Sequence, residues 1–180
     1  LAFSSCIDLN EYFVFIKNPE RITEYDFSRN GLSSLPEEEW EHLNLDTEGR
    51  VTDGALHVPV SGIWILASGA DAPDTERKTV LYFPGNRSNL YSSIHAGMRF
   101  RKLGYDFLGI EYRGYGRSAE SFRITERSVY EDARAAYLYL TRTLGLSERR
   151  IIVVGFSLGS AAAVDLAAAY LPGGVVLMAP

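Results

Sequence analysis

The sequence has little of several features that would assign it to a specialised class of protein. Its one cysteine, Cys6, among 180 residues excludes an internal disulfide and a metal site built from several cysteines. No apolar run approaches the ~20 residues that a membrane-spanning helix needs. The net charge is -5 without a cluster of Lys and Arg, so no nucleic-acid partner is predicted. The hydrophobic content of 46% instead predicts a globular domain with a buried core.

The start of the chain leaves two interpretations of Cys6 open. The first residue is Leu1 rather than Met, so we expect the sequence to have been trimmed. Residues 1–6 resemble the end of a bacterial lipoprotein signal, in which small and apolar residues precede an acylated cysteine, although Phe3 departs from that pattern. This interpretation predicts membrane attachment through Cys6 in the bacterial cell envelope. The alternative is an ordinary buried cysteine in a cytoplasmic protein.

Residues 1–50 are predicted to form a mixed N-terminal segment, followed by the main domain at residues 51–180. Within the first segment, residues 11–16 fit a short strand or a hydrophobic anchor. Residues 35–40 fit a short helix, because proline and acidic side chains favour the start of a helix. His42 lies among acidic residues and is predicted at the surface.

The pattern of the main domain begins with β-structure. Residues 55–60 and 62–67 are predicted as two strands joined by a turn at Ser61 and Gly62. A polar loop follows at residues 69–74.

The rest of the chain alternates between short apolar runs and helical patterns. The predicted strands are residues 79–83, 105–112, 151–154 and 175–178, and the predicted helices are residues 90–103, 128–144 and 160–170. Ser128 and Glu131 have the spacing of a capping box, and Gly145 is the predicted end of that helix. This alternation predicts an α/β fold, a mostly parallel sheet with helices on both faces. Ligands bind such sheets at the carboxyl ends of the strands.

The pentapeptide Gly155-Phe156-Ser157-Leu158-Gly159 stands between a β-branched run and an alanine-rich run. Strand, Gly-x-Ser-x-Gly and helix, in that order, are the context of a nucleophile elbow. The glycines let strand and helix approach closely, and the serine Oγ is then exposed beside a helix N-terminus, which favours negative charge. The alternative is a serine in an ordinary turn. We predict Ser157 as a catalytic nucleophile.

Together with this pentapeptide, two further segments resemble motifs of the α/β-hydrolase superfamily. Residues 81–86, Leu-Tyr-Phe-Pro-Gly-Asn, are similar to its oxyanion loop. Residues 111–118, Glu-Tyr-Arg-Gly-Tyr-Gly-Arg-Ser, are similar to the loop after the following strand. The resemblance covers roughly residues 51–180 and implies the N-terminal portion of that fold. The most similar subgroup contains small hydrolases related to serine aminopeptidases and to depalmitoylating hydrolases, several of which are bacterial lipoproteins.

The resemblance implies a serine hydrolase that acts on an ester, thioester or amide carbonyl through an acyl-enzyme on Ser157. The backbone N–H groups of Leu158 and Asn86 would form the oxyanion hole, and neither a metal nor an organic cofactor is implied. Asn86 and Asn89 have an alternative role as helix caps. Arg113 is expected to be structural, holding loop carbonyls.

The sequence departs from the family pattern in two ways. Pro84 replaces the usual His of the oxyanion loop. The order in this fold is Ser, acid and His, yet no histidine follows Ser157, and the only later acid, Asp165, lies ~12 Å along the same helix. All three histidines are upstream, and none is predicted as the base: His42, His57 and His95.

We therefore expect the 180 residues to be part of a longer protein and to be inactive by themselves, for lack of the acid and the histidine. Two alternatives remain open. One is a protein that keeps the fold as a non-catalytic binding or scaffold module, and the other is a site completed by another chain.

Overall fold

The computed structural model describes residues 22, 24–28, 30–52, 60–69, 76–118 and 124–180. The predictions for Cys6, for the strand at residues 11–16 and for His57 lie outside these residues. So do most of the predicted strand at 55–60 and of the predicted loop at 69–74. No helix in the described ranges is long and apolar enough to cross a membrane.

A six-stranded sheet forms the centre of the molecule. Its strands are β1 (Trp40–Leu45), β2 (Val60–Ile65), β3 (Thr79–Phe83), β4 (Asp106–Glu111), β5 (Ile151–Phe156) and β6 (Gly174–Met178). They lie in the order β1-β2-β4-β3-β5-β6. Strand β2 is antiparallel to both of its neighbours, and the other pairs are parallel. The prediction of a mostly parallel sheet is confirmed.

Helices cover both faces of this sheet: α1 (Leu90–Lys102), α2 (Glu126–Leu138) and α3 (Leu158–Ala169). Side chains alternate along β3, so Leu81 and Phe83 pack on the side of α2 and α3. Val80 and Tyr82 pack on the side of α1. Because both faces are covered, every residue of β3 and of β4 is buried, as the apolar sequences of these strands require.

The start of α2 differs from the prediction. The N-cap is Thr125, whose hydroxyl accepts the backbone N–H of Ser128 at 3.1 Å. The Ser128 hydroxyl in turn accepts the backbone N–H of Thr125 at 2.9 Å. The capping box is therefore Thr125 with Ser128, and the predicted Ser128–Glu131 box is wrong. A π-helical turn at Tyr139–Thr143 continues α2, and Gly145, with φ +66°, ends the segment as predicted.

The structure also corrects two predictions in the first part of the chain. Residues 35–40 contain only a 3-10 turn at Glu37–Glu39, and β1 follows at once. Ser61 and Gly62 lie inside β2 rather than in a turn. The physical reason is that β2 pairs with β1 on one side and with β4 on the other, and both ladders hold the backbone extended. Further 3-10 turns lie at Leu32–Ser34, Gly116–Ser118 and Glu148–Arg150.

Candidate active site

Ser157 forms the turn between the carboxyl end of β5 and the start of α3. Its backbone has φ 51° and ψ -115°, a region where any residue except glycine is strained. Its side chain is exposed, whereas Gly155 before it and Gly159 after it are buried. The serine is therefore accessible between two buried glycines, at the N-terminus of a helix of 12 residues whose dipole favours negative charge.

Both glycines of the pentapeptide are required by close backbone approaches. A Cβ at Gly159 would overlap the carbonyl oxygen of Phe83 at the end of β3. A Cβ at Gly155 would overlap the carbonyl oxygen of Gly159 and come within 2.7 Å of Ser160 Cα. Each of these neighbours is main chain, so relief would require the backbone to move. The turn between β5 and α3 is thus possible only with glycine at these positions.

The end of β6 is hydrogen-bonded to the turn at Ser157. The backbone N–H of Ser157 donates to the carbonyl of Met178 at 2.9 Å. The Ser157 carbonyl accepts the N–H of Ser160 at 2.8 Å in the first turn of α3. Leu158 is the first residue of this helix, and the first N–H groups of a helix have no partner within it. The Leu158 N–H therefore has no acceptor within α3.

The segment after β3 packs directly against this turn. A Cβ at Gly85 would come within 3.0 Å of the Phe156 ring and 3.4 Å of Ser157 Cβ. Asn89 caps α1, because its side-chain oxygen accepts the N–H of Tyr91 at 3.1 Å. Asn86 does not cap that helix; its side-chain oxygen accepts the hydroxyl of Tyr115. The structure thus brings the predicted residues 84–86 and Ser157 to one edge of the sheet.

The loop at residues 113–118 is anchored on α2 through Arg113. The guanidinium pairs with Asp132, which is fully buried, and donates to Glu131 at 3.0 Å. It also reaches the Ser128 carbonyl at 3.5 Å. Burial raises the pKa of the Asp132 carboxyl, and Arg113 opposes that rise. Arg113 is therefore structural, as predicted, but its principal partners are carboxylates of α2 rather than carbonyls of its own loop.

Glu111, at the carboxyl end of β4, is a buried carboxylate that sequence reasoning did not assign. It accepts the hydroxyl of Tyr25, the backbone N–H of Leu90 at 3.1 Å and the backbone N–H of Arg117 at 3.3 Å. Gly116 packs so closely that a Cβ there would overlap the carboxylate. Burial raises the pKa of Glu111 to about 6. The available signal was a charged residue at the carboxyl end of a strand whose interior residues, 107–110, are not charged.

The described histidines lie apart from Ser157, and none of them hydrogen-bonds it. His42 is half-buried in β1, where its Nε2 lies 2.9 Å from the hydroxyl of Ser61, so its predicted surface position is wrong. Burial, with a smaller effect of Arg117, lowers the pKa of His42 to about 4, so its imidazole is neutral at pH 7. His95 is exposed on α1. Within the described residues, no group of three or more His, Cys, Asp or Glu side chains could hold a metal ion.

Asp165 is exposed on α3, consistent with the prediction of a solvated residue. It lines a cleft between α2 and α3 together with Glu126, Arg127 and Arg134, on the helices rather than at the carboxyl edge of the sheet. It therefore stands too far along α3 to orient a base at Ser157.

The sequence is similar to those of known proteins. The family model described as serine aminopeptidase, S33 (Hydrolase_4) matches residues 74–180. Human alpha/beta hydrolase domain-containing protein 17B is 36% identical over 104 residues, which are 57% of this chain and 35% of that protein. A multifunctional-autoprocessing repeats-in-toxin of Vibrio vulnificus is 33% identical over 102 residues, which are 56% of this chain and 2% of the toxin. The chain thus spans about a third or less of the length of these relatives.

Solved structures show the same fold at lower identity. An alpha-beta hydrolase from Vibrio vulnificus has a TM-score of 0.64 and 21% identity, over 97% of this chain and 57% of that chain. The esterase Pf2001 of Pyrococcus furiosus has a TM-score of 0.55 and 21% identity, over 83% of this chain and 51% of that chain.

Proposed function

This chain belongs to the serine aminopeptidase S33 family of α/β-hydrolases, and we propose that it carries the nucleophile and the oxyanion hole of a serine hydrolase. The reaction is hydrolysis of an ester, thioester or amide through an acyl-enzyme on Ser157. The observation that supports this proposal best is the conformation of Ser157. A strained backbone, with an exposed hydroxyl between two obligatory glycines, is the arrangement that presents a nucleophilic serine to a substrate.

The proposed mechanism begins when Ser157 Oγ attacks the substrate carbonyl and loses its proton to a general base. The carbonyl oxygen becomes an oxyanion between the backbone N–H groups of Leu158 and Asn86. The first of these groups belongs to the open end of α3, and the second to the segment that packs on Ser157 through Gly85. Collapse of the tetrahedral intermediate expels the alcohol, thiol or amine, and a water molecule then releases the acyl group.

The general base is not among the described histidines. His42 is engaged with Ser61, His95 is exposed on α1, and no histidine follows Ser157 in the sequence. The proposed chemistry therefore requires a histidine base other than His42 and His95, together with an acid that orients it. Because the chain spans only part of the relatives that it matches, the activity is to be tested on the full-length protein.

The test is covalent labelling with a fluorophosphonate probe, which acts as an acyl substrate would on an activated serine. We expect stoichiometric labelling of the full-length protein, with the probe mapped to Ser157 by mass spectrometry. Labelling should be lost in Ser157→Ala and kept in Ser92→Ala. The second substitution is the control, because it removes an exposed hydroxyl that lies on α1 rather than at the turn. A folded full-length protein that does not react, or reacts equally in Ser157→Ala, would contradict the proposal and favour a binding or scaffold role.

A further inference from the structure

Tyr115 is a buried side chain whose hydroxyl reaches out of its own loop. The residue is 0% exposed, although it belongs to the loop between β4 and α2. Its hydroxyl donates to the side-chain oxygen of Asn86, 29 residues earlier in the chain. The same phenol oxygen is hydrogen-bonded by the backbone N–H of Arg87. One oxygen atom thus holds two consecutive residues of the segment that follows β3.

The segment held in this way is strained at the point where Tyr115 binds it. Arg87 has φ +61°, in the left-handed region that residues with a side chain adopt only at a cost. Such a conformation persists when surrounding contacts favour it over the relaxed alternatives. The phenol oxygen of Tyr115 satisfies the Arg87 N–H in this conformation and fixes the Asn86 side chain beside it.

Tyr115 is itself fixed to the core of the domain. Its ring packs edge-on against the buried ring of Tyr112, with centroids 6.3 Å apart. Gly114 and Gly116, at φ +93° and +48°, let the chain turn on either side of it. The loop is attached to α2 by the ion pair of Arg113 with buried Asp132. Tyr115 therefore connects a rigid part of the core to a strained segment at the active edge.

We infer that Tyr115 is a positioning residue for the oxyanion hole: its hydroxyl aligns the backbone N–H of Asn86 by holding the Asn86 side chain and the Arg87 amide. This inference rests on the proposed function. The inferred role of Tyr115 involves no contact with the substrate; Tyr115 sets the direction of one hydrogen-bond donor. A small misplacement of a catalytic group is enough to slow a reaction strongly, so loss of the hydroxyl should act on turnover.

The closing experiment compares Tyr115→Phe with Tyr112→Phe in the full-length protein. Both substitutions remove one buried phenol hydroxyl and keep the ring, but the Tyr112 hydroxyl has no hydrogen-bond partner among the described residues. We expect Tyr115→Phe to lower kcat for a 4-nitrophenyl ester roughly 10- to 100-fold, with KM changed less than about threefold. Tyr112→Phe should leave both constants within about twofold of the wild type.

A second substitution separates the positioning role from a general loss of stability. Asn86→Ala removes the acceptor of the Tyr115 hydroxyl and keeps the backbone N–H. If Tyr115 acts through Asn86, adding Tyr115→Phe to Asn86→Ala should slow turnover by far less than Tyr115→Phe does alone. Amide hydrogen exchange at Arg87 should be faster in Tyr115→Phe and unchanged in Tyr112→Phe.

The possible results separate this inference from the proposed function. If the wild type labels at Ser157 but Tyr115→Phe keeps its kcat, the inference is overturned and the hydrolase stands. Equal losses in Tyr115→Phe and Tyr112→Phe would also overturn it, since a structural effect would then suffice. If the folded wild type does not react at all, both proposals fall, whatever the exchange at Arg87.

Discussion

The two sides of the proposed oxyanion hole are held in place by different means. On the elbow side, the backbone alone decides the geometry: Ser157 is strained, and Gly155 and Gly159 allow main chain to touch main chain. On the loop side, buried polar side chains decide it, through Tyr115 at Asn86 and through Glu111 at the start of α1. The first arrangement depends on five consecutive residues, whereas the second depends on contacts between residues that are far apart in the sequence.

The elbow side should be the more sensitive of the two to substitution, because the atoms that contact its glycines are main chain and cannot move aside easily. Gly159→Ala would place a methyl group on the carbonyl oxygen of Phe83. We expect it to lower the free energy of unfolding by about 3 kcal/mol and to abolish probe labelling. Urea denaturation measures the first effect.

The control for this prediction is Gly174→Ala in β6. No atom lies within 4 Å of a Cβ at Gly174, so this substitution should leave the urea midpoint close to that of the wild type. Equal midpoints for Gly159→Ala and the wild type would show that the elbow is not constrained by its glycines.

The loop side should respond to pH through Glu111. Burial raises its pKa from 4.5 to about 6, so folding favours the protonated carboxyl. Its contribution to stability is therefore full below pH 4.5 and is lost as the pH rises through about 6, a change of about 2 kcal/mol.

Glu111→Gln removes the titrating group and keeps one acceptor oxygen, although the N–H groups of Leu90 and Arg117 donate to different oxygens of the carboxylate. Relative to this variant, the wild type should thus lose unfolding free energy as the pH rises from 4.5 to 7. Chemical denaturation at four or five pH values tests this, and a constant difference would contradict the buried-carboxyl interpretation.

The smallest effect on stability is expected at His42 in β1. Its ring packs against Phe27, with centroids 5.0 Å apart, and its pKa is lowered to about 4. A lowered histidine pKa means that stability is full above pH 6.5 and is lost as the pH falls through about 4, the reverse of the Glu111 effect.

Replacing His42 by Gln should remove this loss of unfolding free energy at low pH, which is on the order of 1 kcal/mol for a half-buried group. His95→Gln, an exchange of an exposed side chain on α1, is the matched control. If both variants lose stability between pH 6.5 and 4.5 as the wild type does, His42 is not the group responsible.

Much of the fold could be predicted because its signals are local. The strand predicted at residues 79–83 coincides with β3, Thr79–Phe83, and the helix predicted at 90–103 is α1, Leu90–Lys102. Residues 79–83 are mostly apolar and have high strand propensity, and residues 90–103 have a helical pattern that ends at Gly104, so each segment's conformation can be predicted locally. Prediction failed where a partner decided the conformation, as at Ser61 and Gly62, whose residue types favour a turn but whose two neighbouring strands impose a strand.

The candidate site divides in the same way. The pentapeptide around Ser157 predicts a tight, exposed turn, and the structure contains it, while the catalytic role of Ser157 and the donor roles of Leu158 and Asn86 stay predictions. Nothing in the sequence pattern distinguishes Tyr115 from Tyr112, although one hydroxyl binds the loop after β3 and the other has no partner among the described residues.

The sequence by itself determined the alternation of strands and helices from β3 to β6 and the turn at Ser157, because neighbouring residues settle backbone preference and steric access. Only the tertiary structure decided that Glu111 would be buried, that Tyr25, 86 residues away, would bond it, and that Tyr115 would bind Asn86. Burial and hydrogen-bond partners depend on which distant segments meet, and only the packing of the sheet with its helices brings those segments together.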